Sequence, residues 1–346
     1  MWLFSARTDL TVFLGAALLS VGLALGAPAL GLSGDTPLLA WLALVVCIDV
    51  AHVWATLFRV YFDPEELARR PMLYFCAPLL GYAAGVALHS VSGPLFWRVL
   101  AYVAVLHFIR QQAGWMTLYG RRAGDSATLR HLDAAAIYAA TLGPVIWWHA
   151  NLPRSFWWFV ENDFISGLPH WLGTAALYAH ALVLLAWLVA QFALRKTFHP
   201  GKAALLFSTW LVWFVGIVLA RDDFSFTVSN VVLHGVPYFA LLYRYAKGRA
   251  QEPNYGFAAT LIKIGVPGFM SVLLLLAFAE ELFWDKLVWH ERPALFGGGL
   301  SLPEAALTWL VPLLALPQIT HYVLDGFVWR SRENPALTRR LGWSKT

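Results

Sequence analysis

The stretch HGVPYFALLYRY, residues 234–245, decides the fold. It belongs to an apolar run of membrane-spanning length, yet it opens on a histidine, a residue costly to keep in hydrocarbon. Three other apolar runs pose the same problem: CIDVAHVWATLFR at 47–59, VLHFIRQQAGW at 105–115 and QITHYVLDGFVWR at 318–330. In each run a polar residue stands about one helical turn from the histidine.

Composition explains where these runs live. The 346 residues are 59% hydrophobic and 13% charged, with a mean hydropathy of +0.61. A soluble domain carries about 25% charged residues, so this chain has more apolar surface than one core can hide, and lipid must act as its solvent. The 18 Trp and 12 Tyr agree with this, because amphipathic rings collect at headgroup level. Cys47 and Cys76 both lie inside apolar runs, which fits buried free thiols and excludes a disulfide framework or a zinc-finger spacing. The net charge of +5 is carried by loops, so it implies topology and no nucleic-acid partner.

A membrane helix needs about 20 mostly apolar residues. Ten segments qualify, at 9–31, 37–61, 72–92, 95–119, 132–150, 171–194, 203–220, 225–244, 257–283 and 304–329. The first lacks a cleavage site and reads as a span, not a signal peptide. The basic clusters fall after the even spans: Arg69–Arg70, then Arg121, Arg122 and Arg130, then Arg195, Lys196 and Lys202, then Arg244, Lys247 and Arg249. The C-terminal tail adds Arg330, Arg332, Arg339, Arg340 and Lys345, whereas the opposite loops hold little beyond Arg154, Arg221, Lys286 and Arg292. Because cytoplasmic loops carry the excess of Lys and Arg, the expectation is an all-α, polytopic bundle of about ten spans. Both termini are then cytoplasmic, in what reads as a bacterial inner membrane. The chain reads as a single membrane domain, 1–346, with a basic cytoplasmic tail from 330 to 346 available to anionic headgroups. The aromatic loop NLPRSFWWFVENDFISGLPHW, 151–171, is expected along the outer interface.

The polar pairs come next. Asp49 and His52 are three apart; His107 and Gln111, Asn230 and His234, and His321 and Asp325 are four apart. Residues at these spacings share a helix face. All four spans are even-numbered, so they run in one direction and depths compare directly. From each histidine to the basic residue ending its span the count is 7 (Arg59), 14 (Arg121), 10 (Arg244) and 9 (Arg330). At 1.5 Å per residue this is roughly 10–21 Å above the cytoplasmic boundary, a spread that tilt can close.

Four imidazoles in one layer suit a metal, since neutral imidazole favours zinc, copper, iron or nickel. Asp49 and Asp325 would orient or join the ligands, while Gln111 and Asn230 would hold a water or a neighbouring ring. Two other readings stay open: polar packing between helices, and a proton or ion path. His180 lies on an even span and is a possible fifth ligand. His89, His131, His149, His170, His199 and His290 read as interfacial. Arg110 either binds an anionic headgroup or pairs with Asp49 or Asp325. Arg59 and Arg330 are expected to snorkel to the headgroups, Glu280 and Glu281 to form a solvated helix end, and DPEELARRP, 63–71, to form a short capped surface helix.

One histidine on each of four spans, in DVAH, LHF, LHG and ITHYVLD, resembles the Brp/Blh-type carotene dioxygenases, polytopic proteins that hold iron with four histidines from different helices. It also resembles the fatty-acid desaturase and hydroxylase group, whose HxxxH and HxxHH boxes this sequence lacks. The resemblance covers the arrangement and not the whole chain. It implies His52, His107, His234 and His321 as iron ligands, with zinc the alternative metal, and a membrane lipid or isoprenoid as substrate. The catalytic candidates beside them are Asp49, Asp325, Arg110, Gln111 and Asn230. The expected function is therefore a metal-dependent, non-heme iron membrane enzyme performing oxidative chemistry on a lipid-soluble substrate. The rival is a proton- or metal-coupled transporter using the same residues; no helix is obviously broken at corresponding points of two halves, which speaks against it.

Overall fold

Proline and glycine set the helix ends in this chain, and apolar runs fill what lies between. Pro71 and Pro200 occupy the first turns of their helices, where a missing N–H costs nothing. Gly265, at φ 95°, separates two helical segments with a conformation that a side chain would resist. The computed structural model describes residues 2–32, 34, 36–193, 198–330 and 333–343, and among these it is all-helical.

Ten long helices follow in order: α1 (Ala6–Gly26), α2 (Leu38–Arg59), α3 (Pro71–Val91), α4 (Gly93–Arg122), α5 (Ala127–Ala150), α6 (His170–Ala193), α7 (Pro200–Leu219), α8 (Asp223–Arg249), α9 (Val266–Trp289) and α10 (Glu304–Val328). They coincide with the ten segments read from sequence to within a few residues at most ends. Eight of them are long and apolar enough to cross a membrane, which makes this a multi-pass membrane protein; α4 and α5 are long enough but more polar. Two helices are interrupted: α2 at Ala55 and α10 at Ala315.

The described residues group into two compact units, 1–44 with 101–237 and 45–100 with 238–346. Helices α2, α4 and α8 each run on from one unit into the other. In the first unit, α1 is anchored by Asp9, which is 1% exposed and accepts from Leu3 N at 2.6 Å and from Tyr119 Oη at 2.5 Å. Lys202, counted above as a loop cation, is buried between Asp125 and Asp133. In the aromatic loop, Phe156 and Phe164 are buried and pack on Trp148.

The second unit corrects several expectations together. Arg59 is 0% exposed and does not snorkel; its Nη1 lies 2.8 Å from a Glu66 oxygen and its Nη2 donates to Val328 O at 2.6 Å. Glu66 reaches it because Asp63 caps the short helix Pro64–Arg69, turning the chain back toward the end of α2. Asp63 in turn takes Arg249 Nε at 3.0 Å. The tail is no loose basic arm either. Helix Pro335–Arg340 docks Leu337 and Arg340 into the unit, and Arg340 bonds Glu65 at 2.7 Å and Glu252 at 2.6 Å. Arg330 is half exposed. Arg195, Lys196, Arg332 and Lys345 lie outside the described residues. Cys47 and Cys76 are unbridged and only half-buried.

Candidate metal centre

In the second unit His52 and His321 are each 1% exposed, and their rings meet edge to face with centroids 5.0 Å apart at 84°. His52 follows directly on a π-helical stretch, Leu42–Val50, that carries Asp49. Such widened turns concentrate at functional positions. The widened turn sets the His52 ring against the carbonyls of Ile48 and Asp49. The Asp49 carboxylate stands 3.7 Å from His52 Nδ1, beyond hydrogen-bond length. His321 is held by a residue the sequence reading passed over: Thr56 Oγ1 lies 2.8 Å from its Nδ1.

Tyr238 is the second overlooked residue. It is 1% exposed, and its ring stands perpendicular to both imidazoles, 5.8 Å from His52 and 5.2 Å from His321. Its hydroxyl lies close to Thr56, Asp325 and Trp329. Asp325 does not hold His321, one turn back on α10. Its Oδ1 instead accepts from Trp329 Nε1 at 2.6 Å, because the carboxylate points along the helix toward its C-terminal end.

The first unit contains a matching pair. His107 on α4 is 5% exposed and His234 on α8 is 1% exposed, with centroids again 5.0 Å apart, at 80°. Phe108 stacks flat on His234 at 3.5 Å, and Trp158 of the aromatic loop backs Phe108 at 5.0 Å. Gln111, one turn after His107, donates Nε2 to the His234 carbonyl at 3.1 Å, tying α4 to α8 at the level of the pair. Asn230 donates to Phe226 O at 2.8 Å along its own helix. The remaining amide acceptors, Gln111 Oε1 and Asn230 Oδ1, are buried without a hydrogen-bond partner among the described residues. Within each pair the two histidines offer one ring nitrogen each, less than 4.8 Å apart.

The other candidates stand elsewhere. Arg110 is exposed, donates to Tyr138 Oη at 3.0 Å and takes no part in the pair beside it. His180 packs against Gly143 and Phe214. His149 and His199 are buried, not interfacial, but they serve structure: His149 meets Tyr102 Oη at 2.8 Å, and His199 caps α7. Glu280, expected at a solvated helix end, is 5% exposed and accepts from Trp54 Nε1 and Gln318 Nε2, both at 2.7 Å.

Both missed residues left a faint signal. Thr56 stands four after His52 and Tyr238 four after His234, the same one-turn spacing that marked the polar pairs. The fold and these sites define an all-helical, multi-pass membrane protein with buried histidine pairs. Compared with family models, curated proteins and solved structures, the chain matches none.

Proposed function

We propose that the two histidine pairs are halves of one metal centre, with His52, His107, His234 and His321 each giving one ring nitrogen. The observation that carries this reading is the match between the pairs: buried rings, equal separation, near-perpendicular planes and no charged ligand. Helix α8 supports it, since Tyr238, which touches the rings of His52 and His321, follows His234 by one turn on the same face. Four neutral imidazoles fit iron or zinc and offer nothing to a hard oxygen-seeking cation. The orphaned acceptors of Gln111 and Asn230 are available to a donor that arrives with the bound group.

The function that fits is a non-heme iron membrane enzyme acting oxidatively on a lipid-soluble substrate, in a ten-pass chain with cytoplasmic termini. Held by these histidines, iron would supply activation of dioxygen. The chain's own residues do the rest. Thr56 Oγ1 stands 2.8 Å from His321 Nδ1; accepting the Nδ1–H there would leave Nε2 as the ligand nitrogen and fix the ring plane. The carbonyls against His52 do the same for that ring. Phe108, Trp158 and Tyr238 exclude water, and Tyr238 brings an O–H group beside His52 and His321. Arg110 receives no role.

A second reading, metal transport, is favoured by one observation: α2 and α10 are both interrupted close to a histidine, at Ala55 and Ala315, as helices at transporter sites often are. Elemental analysis of the purified protein separates them. Tightly held iron, near one per chain and lost in His52→Ala, His107→Ala, His234→Ala and His321→Ala but kept in His149→Ala, is the expected result. Readily exchanged metal favours transport, and equal retention in all five variants removes the centre.

A further inference from the structure

In the second unit, a cavity of about 380 Å³ is lined in part by His321. It exists because two helices are interrupted beside it. Helix α2 breaks at Ala55, and α10 breaks at Ala315 between Pro312 and Pro317, whose rings each remove a backbone donor. Helix α3 supplies Pro78 to the opposite wall.

The polarity of the cavity runs one way. At the inner end stand His321 and Thr56, buried and bonded to each other. The walls are Leu57, Leu316 and Pro317, and Leu313 at the mouth is 49% exposed. No Asp, Glu, Lys or Arg lines it. Taking a charged group into such walls without a partner costs several kcal/mol or more. The mouth is also at the wrong depth for a headgroup: Leu313 is the tenth of 25 residues in α10, near the middle of the span. A cavity of this volume suits a drug-sized ligand, so a lipid long enough to reach mid-membrane puts only part of its chain inside.

We propose that this cavity is the entry port by which the hydrocarbon tail of a membrane lipid reaches His321, tail first, while any headgroup stays outside. The inference rests on the metal-centre reading for its consequence, since the tail is then the part that reacts. Acyl and isoprenoid chains share the required chemistry.

Photolabelling in phosphatidylcholine vesicles tests it. Three diazirine probes are used: a fatty acid labelled at the tail end, the same acid labelled beside the carboxylate, and an isoprenoid alcohol labelled at its tail. The expected result is several-fold enrichment of tail-end adducts on peptides carrying Leu57, Leu313 or Leu316 over the exposed Leu185 of α6, with no enrichment for the carboxylate-proximal probe. Leu316→Trp, and the milder Leu57→Phe, should each suppress that enrichment while leaving bound metal unchanged. Whichever unlabelled chain competes better, acyl or isoprenoid, names the source. Adducts no richer than at Leu185, or enrichment unchanged in both variants, overturns the port. Enrichment in a protein that holds no metal upholds the port and sinks the centre instead.

Discussion

A hydroxyl is easy to overlook in a helix, and Thr56 is the clearest case. The four histidines were legible because an imidazole at membrane depth needs an explanation, whereas threonine there needs none. Only the one-turn spacing from His52 hinted at it, and that spacing linked the wrong partners: Thr56 serves His321, on another helix, at 2.8 Å. Asp325 misled for the converse reason. Its position one turn from His321 was right, but a carboxylate at i+4 can turn either way along a helix, and Trp329 takes it. Thr56→Val keeps the shape of the side chain and removes the acceptor. Loss of a bond that orients a ligating histidine typically costs about 10–100-fold in metal affinity, and that drop is expected in a chelator-competition titration. Thr56→Ser should stay near wild type. If Val and Ser retain metal equally, Thr56 does not orient His321.

At the scale of elements, the helices were written plainly in apolar runs and their proline ends, but their interruptions were not. Ala55 and Ala315 break α2 and α10 although alanine is the best helix former; tertiary packing decides there, and only Pro312 and Pro317 hint at it. The segment after α2 hid its role in the same way. DPEELARR reads as a surface helix by composition, yet Glu66 is 1% exposed and carries Arg59, Arg69, Tyr74 and Asn334 on its two oxygens. Burial alone would raise the Glu66 carboxyl, but the Arg69 and Arg59 guanidiniums beside it hold it below its ordinary 4.5. A carboxylate depressed in the folded state contributes stability that is complete above the unfolded value and is lost as pH falls through the folded one. Glu66→Gln is therefore expected to cost about 3–5 kcal/mol at neutral pH, the range for breaking a buried pair. It should also flatten the fall in detergent-solubilised thermal stability below pH 4.5. A variant that melts like wild type at pH 7 would show that Arg59 finds another partner.

For the whole molecule, the question is whether α4 and α5 cross the membrane, because their apolarity falls short of the other eight. Their polar residues account for that shortfall. On α4, His107, Gln111 and Gln112 are buried, and on α5 so are Asp133 and Thr141, so these groups burden the composition without facing lipid. Asp133 meets Lys202 and Trp187, and Gln112 accepts from Thr209 at 3.2 Å. At 1.5 Å per residue the 30 residues of α4 reach about 45 Å, well beyond a hydrocarbon core of about 30 Å. The count of basic residues was a less direct guide than it looked, since Lys202, Arg249 and Arg340 are buried in ion pairs, but Arg121 remains exposed in the last turn of α4. Ten passes put the turn between α4 and α5 in the cytoplasm; eight passes, with α4 and α5 lying outside, would put it on the outer face. A chain with Cys47 and Cys76 replaced by alanine can carry one exposed cysteine at a time, at Ala127, Glu161, Gln251 or Ser301. On intact cells a membrane-impermeant maleimide should label Glu161→Cys and Ser301→Cys and spare Gln251→Cys under either count. Ala127→Cys decides: protection until the cells are permeabilised is the ten-pass outcome, and labelling from outside would reduce the bundle to eight.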